Sequence, residues 1–240
     1  MNTHEARLDG REEVAEGTMA FHFERPAGFR FKPGQAIDLI LPDLPTADGQ
    51  SARHAFSIVG APFEADLVVA TRMRDSAFKR ALKALPIGST AKLEGPFGSL
   101  SLHADRARPA VFIAGGIGIT PFMSILRQAA KDQLPQRLSL LYSNRRPEDA
   151  AFLAELQQME RQNKYLRLVA TMTEMSQSGR PWAGETALID EAFVRRTVDD
   201  LSAPIYYVVG PPGMVEAMRQ ILNQTGVSDD IIRSEEFYGY

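Results

Sequence analysis

Gly115, Gly116 and Gly118 stand between an apolar run at residues 111–114 and a second apolar set, Phe122, Ile125, Leu126 and Ala129, at helical spacing. The pattern predicts a strand, a tight turn and a helix. Thr120 is expected as the helix N-cap and Pro121 as its first residue, where a missing N–H is harmless. Glycines there let backbone N–H groups close on a ligand while the helix N-terminus faces it, and the natural ligand is a pyrophosphate. The competing reading is a turn that merely lets a helix pack on a sheet. The usual G-x-G-x-x-G spacing is also incomplete, because Pro121 stands where the third glycine belongs.

A second group of candidates, Ser143, Arg145 and Arg146, ends the next apolar run in the stretch Ser143-Asn144-Arg145-Arg146. Dinucleotide folds that select NAD commonly place an acidic residue there for the ribose 2′-hydroxyl. Ser143 and the arginines suggest contact with an adenosine ribose or its 2′-phosphate. Alternatively they are solvated charge ahead of a helix opened by Pro147, Glu148 and Asp149. Further on, Gly210, Pro211, Pro212 and Gly213 precede a helix that turns Met214, Val215, Met218, Ile221 and Leu222 inward. The aromatic terminus at residues 235–240 either seals a sheet or covers a flat ligand.

These residues need elements to hold them. Short apolar runs at 19–23, 36–41, 56–59, 67–70 and 90–93, separated by turn residues such as Pro33-Gly34 and Gly95-Pro96, predict an antiparallel barrel or sandwich. One helix interrupts it, capped by Asp75 or Ser76, with Phe78, Ala81, Leu82 and Leu85 inward and Pro86 as its stop. After a polar joint at 106–109, apolar runs at 111–114, 138–142, 166–170 and 205–209 alternate with helical stretches, the mark of βαβ units and a parallel sheet. The expected division is residues 1–107 and 108–240.

The chain has 240 residues and a net charge of −3, with no cysteine. Interspersed charge offers nothing for nucleic acid or an anionic membrane surface. Disulfides, thiolate zinc sites and Cys-ligated iron–sulfur clusters are excluded. The absence of a signal pattern or long apolar span makes a cytoplasmic protein the expectation.

In order along the chain stand FKPGQ at 31–35, HAFS at 54–57, GPFG at 95–98, GGIGITP at 115–121, YSNR at 142–145, VGPPGM at 209–214 and EEF at 235–237. Together they resemble the ferredoxin–NADP reductase family of two-domain flavoproteins across nearly the whole chain. The resemblance implies an FAD-binding barrel, an NAD(P)-binding α/β domain, and a flavin ring held between them. By the family's R-x-[YF]-S motif, Phe56 is expected to stack on the flavin and Ser57 to lie near its N5, with Ala55 between them and His54. The motif's arginine position holds His54, preceded by Arg53. A neutral imidazole lacks the fixed charge and fork of arginine, so Arg72 and Arg74, before Asp75 and Ser76, are candidates for the missing phosphate contact. Val209 stands where the family carries a cysteine beside the nicotinamide, which implies looser or slower hydride transfer rather than none. Thr120 matches the family's nicotinamide-pocket threonine, and Phe237 is expected to cover the flavin until the nicotinamide enters.

The implied activity is hydride transfer from NADPH or NADH to FAD, followed by one-electron delivery to a separate protein, a ferredoxin or haem protein. Two alternatives stay open. One is reduction of free flavin, ferric complexes or quinones; the other is a nucleotide-binding regulatory or electron-transfer subunit with little activity alone.

Overall fold

The computed structural model describes residues 3–41 and 52–238. The chain divides into two compact units, Met1–Ser101 with Thr120–Gln128, and Leu102–Ile119 with Ala129–Tyr240. Gly239 and Tyr240 of the aromatic terminus lie outside the described residues.

The first unit is antiparallel. Strands β1 (Thr3–Ala15), β2 (Thr18–Glu24), β3 (Ala36–Ile40), β4 (Arg53–Ser57), β5 (Asp66–Arg72) and β6 (Thr90–Phe97) pair in the order β4-β3-β6-β1-β2-β5. An antiparallel bridge between Ile58 and Val69 joins the two ends of that order, so the sheet closes into a barrel. Its core includes Leu8, Phe21, Phe23, Ile37, Leu39 and Leu93, all fully buried. Strand β1 carries no sequence signal because only Ala6 and Leu8 of its residues are buried, and register shifts interrupt its pairing with β2. Gly95-Pro96, read as a turn, instead lies within β6, where the pairing with β3 shifts register. Helix α1 (Ala77–Ala84) is capped by Ser76, whose Oγ accepts a hydrogen bond from the Lys79 N–H at 3.2 Å.

The second unit is built on a parallel sheet. Strands β7 (Ala110–Gly115), β8 (Leu138–Asn144), β9 (Leu166–Met172), β10 (Ile205–Gly210) and β11 (Ile232–Glu236) lie in the order β11-β10-β7-β8-β9. Every residue of β7 and β10 is buried, as expected of strands covered on both faces. Helix α2 (Thr120–Lys131) follows β7 in the chain, its residues Thr120–Gln128 being grouped with the first unit, and helices α3 (Leu153–Gln162), α4 (Glu191–Thr197) and α5 (Pro212–Gln224) complete the α/β pattern of the second.

Two local expectations change. Thr120 does not cap α2: a 3₁₀ turn at Gly116–Ile119 starts the winding earlier, so Thr120 sits within the helical path, 2% exposed. Pro147–Asp149 forms a 3₁₀ turn rather than the start of a helix, because Asp149 is taken up by Arg146 and the chain passes through positive φ at Phe152 before α3. The terminal EEF does seal the sheet in part. Glu235 and Glu236 pair with Val209 and Gly210 in β11, and the Phe237 N–H continues the ladder to the Gly210 carbonyl at 2.9 Å. Among the described residues no helix is long and apolar enough to cross a membrane.

Candidate functional site

In the second unit, β7 continues to β8 and β9 on one side, whereas β10 and β11 lie on the other. The order therefore reverses between β7 and β10, and the crevice beyond their carboxyl ends is where open α/β sheets take ligands. The glycine turn leaves β7 there, and Gly210-Pro211 leaves β10. Gly115 and Gly118 have packing reasons to lack side chains. A Cβ on Gly115 would lie 2.1 Å from the Met214 sulfur, and one on Gly118 would lie 2.3 Å from the Val209 carbonyl oxygen. Gly210 is close-packed too, its Cβ position 3.3 Å from the Gly115 backbone. Gly116 differs, with φ at +54° and nothing within 4 Å of its Cβ position. It is the glycine that combines a left-handed backbone with open space for an incoming anion.

Strand β8 ends alongside, with Ser143 paired to Gly115. Asn144 follows, only 5% exposed, and neither side-chain amide atom has a hydrogen-bond partner among the described residues. A buried amide left in this state is costly, and it fits a polar ligand at these strand ends. The two arginines part company. Arg146 is held by Asp149 through paired contacts of 3.0 and 2.9 Å, whereas Arg145 faces Glu174 at 3.5 Å with its side chain 65% exposed. Val209 is fully buried in β10.

Burial pushes the carboxyl of its β11 neighbour, Glu235, up from the ordinary glutamate range. The folded state thus holds that proton more readily than the unfolded chain, so the burden on stability is absent in acid and grows as pH rises through the raised value. Glu235→Gln is expected to melt above the wild type at about pH 8 and level with it at about pH 4. Thermal melts across that range check it; an offset independent of pH would assign the effect to packing.

In the first unit, the alternation of β4 decides between neighbouring candidates. His54 and Phe56 share one face, their rings 5.0 Å apart and stacked, and Phe78 of α1 lies 5.3 Å from His54 and 5.9 Å from Phe56. Arg53, Ala55 and Ser57 alternate with them. Arg53 is bound to Asp38 at 3.0 Å and Glu94 at 2.6 Å, so its guanidinium is already engaged on β3 and β6. Phe56 belongs to the barrel core at 6% exposed, and Ser57 is 7% exposed. Burial lowers the His54 imidazole below its ordinary value, and the charge of Lys79 adds to the effect. Arg72 is half-buried at the end of β5, Arg74 and Asp75 are exposed, and Asp75 pairs with Arg80.

Sequence reasoning passed over Lys79 and Asn144. Lys79 is 4% exposed in the stripe with Phe78 and Leu82, and that helical spacing was the available signal. Nothing in the local sequence marks the Asn144 amide as buried.

An antiparallel barrel and a parallel sheet with a glycine turn at its order reversal define the class of two-domain nucleotide oxidoreductases. Residues 112–220 match the model of the oxidoreductase NAD-binding domain. Ferredoxin–NADP reductase B of Sorangium cellulosum is 30% identical over 228 residues, covering 90% of each chain. At that identity and coverage the chain belongs to the ferredoxin–NADP reductase family. The reductase component of propane 2-monooxygenase from Rhodococcus jostii is 28% identical over 219 residues, 88% of this chain and 57% of that protein. The chain spans about three fifths of the length of the first curated relatives it matches. A ferredoxin–NADP⁺ reductase from Neisseria gonorrhoeae with bound FAD and NADP shares the fold, with a TM-score of 0.81 at 22% identity over 98% of both chains.

Proposed function

We propose that the chain is an FAD-dependent NAD(P)H oxidoreductase of the cytoplasm that passes electrons to a separate redox protein, a ferredoxin or haem protein. Residues 1–107 form the flavin domain and residues 108–240 the nicotinamide-nucleotide domain. The observation that carries this reading is the turn at the β7/β10 reversal, where Gly116 is left-handed and open beside the orphaned amide of Asn144.

The residues present suit both groups. In the second unit, Gly115, Gly116, Gly118, Gly210, Pro211 and Met214 shape the crevice, and Ser143 and Arg145 stand at its adenosine end. Arg146 orders that loop through Asp149. Thr120 belongs with the nicotinamide, and Phe237, anchored through its N–H to β10, with the flavin face. In the first unit, Phe56 orients the flavin ring and Ser57 offers it a hydroxyl. His54, Arg72, Arg74 and Ser76 serve the flavin phosphates. Bound flavin supplies the conversion of a two-electron hydride into single electrons, so no side chain has to act as a strong acid or base. The protein's task is to bind, orient and shield.

The test is anaerobic titration of the flavin-loaded protein with NADH and NADPH, followed by a comparison of ferredoxin with free FMN as acceptor. Bleaching by either nucleotide and faster turnover with ferredoxin are expected; a protein that binds nucleotide without flavin reduction would overturn the proposal. Coenzyme choice gives a second expectation. Because Arg146 is committed to Asp149, Arg145→Ala should weaken NADPH use by roughly 10- to 100-fold, the worth of one charged hydrogen bond, and leave NADH use nearly unchanged. Steady-state KM values for both coenzymes check it, and equal losses would discard the 2′-phosphate contact.

A further inference from the structure

We propose that His103 is an acid-released latch, a neutral imidazole that fastens the segment at residues 102–109 to the second unit through the Tyr207 hydroxyl. The segment leads from Ser101 into β7, and a polar network that the nucleotide reading does not use holds it in place. Tyr207 of β10 and Gln136, just before β8, are both fully buried. The Tyr207 oxygen accepts from the His103 backbone N–H at 2.9 Å and from Arg233 Nη1 of β11 at 3.2 Å. Its lone pairs are then taken, so its own hydrogen points to His103 Nδ1, 3.0 Å away. That leaves the ring proton on Nε2, which donates to the Arg108 carbonyl at 2.9 Å. The two amide hydrogens of Gln136 go to the Arg108 and Asp105 carbonyls at 2.8 and 3.3 Å, so its nitrogen, 2.8 Å from Nε2, has none left for the ring. The Gln136 oxygen accepts from Arg106 at 3.2 Å.

A proton added at Nδ1 breaks this arrangement. It puts a third donor on the Tyr207 oxygen, and the phenol hydrogen loses its acceptor. Asp105, Arg106 and Arg108 surround the ring from its own segment, Tyr207 from β10 and Arg233 from β11. Burial is the main influence pushing the imidazole below its ordinary value of 6.5; the Arg108 carbonyl and Asp105 oppose it, and the Arg233 and Arg108 charges add to it. The latched segment thus takes the proton less readily than a released one. The latch is at full strength above the ordinary value and weakens as pH falls from there through the lowered one.

Hydrogen exchange of the full chain, read by mass spectrometry and corrected for the intrinsic rate, tests it. Protection of residues 102–109 is expected to fall roughly 10-fold between about pH 7.5 and about pH 5, while β10 keeps its protection. His103→Gln, which takes no proton, is expected to show equal protection at both values. An NMR titration of the wild-type imidazole needs no variant: its midpoint should lie below the ordinary value, with the neutral ring protonated on Nε2. Wild-type protection that does not change, an equal loss in β10, a loss in His103→Gln as steep as in the wild type, or a midpoint at or above the ordinary value would overturn the latch. If the segment is open at both values in His103→Gln, the wild-type midpoint and ring tautomer decide alone.

Discussion

Gly118→Ala is expected to lower the melting temperature of the protein by about 5–10 °C, whereas Gly213→Ala leaves it unchanged or slightly raised. The difference lies in what each new methyl group meets. At Gly118 it would lie 2.3 Å from the Val209 carbonyl oxygen, 2.7 Å from its carbon and 2.9 Å from the Gly210 nitrogen, all backbone atoms that no rotamer change can move aside. The end of β10 has to shift, at a cost of about 2–3 kcal/mol for overpacking. The shift also displaces Gly210-Pro211, the other wall of the crevice, so nucleotide affinity falls with stability. At Gly213, in the first turn of α5, nothing lies within 4 Å, and alanine is the better helix former. Thermal melts of both variants, with nucleotide titrations alongside, check this. Equal melting temperatures would mean that the two strand ends are not held in close contact.

Phe56→Ala carries the second large effect. The ring is 6% exposed within the barrel core and contacts His54 and Phe78, so truncation leaves a cavity between β4 and α1. Removing a buried phenylalanine costs about 3–5 kcal/mol, here a drop of roughly 10 °C or more. Phe56→Leu keeps most of the apolar volume and is expected to recover over half of that loss. Flavin affinity separates packing from ligand contact. If the ring orients the flavin, Phe56→Leu will melt near the wild type yet bind FAD and riboflavin more weakly to a similar extent. Unchanged flavin binding in Phe56→Leu would confine Phe56 to the barrel core.

Much of this architecture was legible in residue order. The strand–turn–helix at 110–131, the switch from antiparallel to βαβ patterning and a helix cap at Asp75 or Ser76, of which Ser76 is the one used, follow from local rules, since apolar period and turn chemistry act over a few residues. The elements missed were β1 and β11. Their membership depends on backbone pairing, which carries no side-chain signature when few of a strand's residues are buried. The same limit hid the helix break at Phe152, where packing overrode an acceptable helix start at Pro147-Glu148-Asp149.

The candidate site divides in the same way. Sequence by itself determined the residue types and their order: the glycines, the HAFS stretch, the paired arginines and the lack of cysteine. Those are chemical facts that need no coordinates. Only the tertiary structure decided which members of each pair are engaged. It tied Arg53 to Asp38 and Glu94, tied Arg146 to Asp149, assigned Gly118 to packing and Gly116 to open space, and buried Lys79 beside Arg74 and His54. A side chain's charge state and freedom depend on neighbours brought from distant parts of the chain, and local pattern does not encode that proximity.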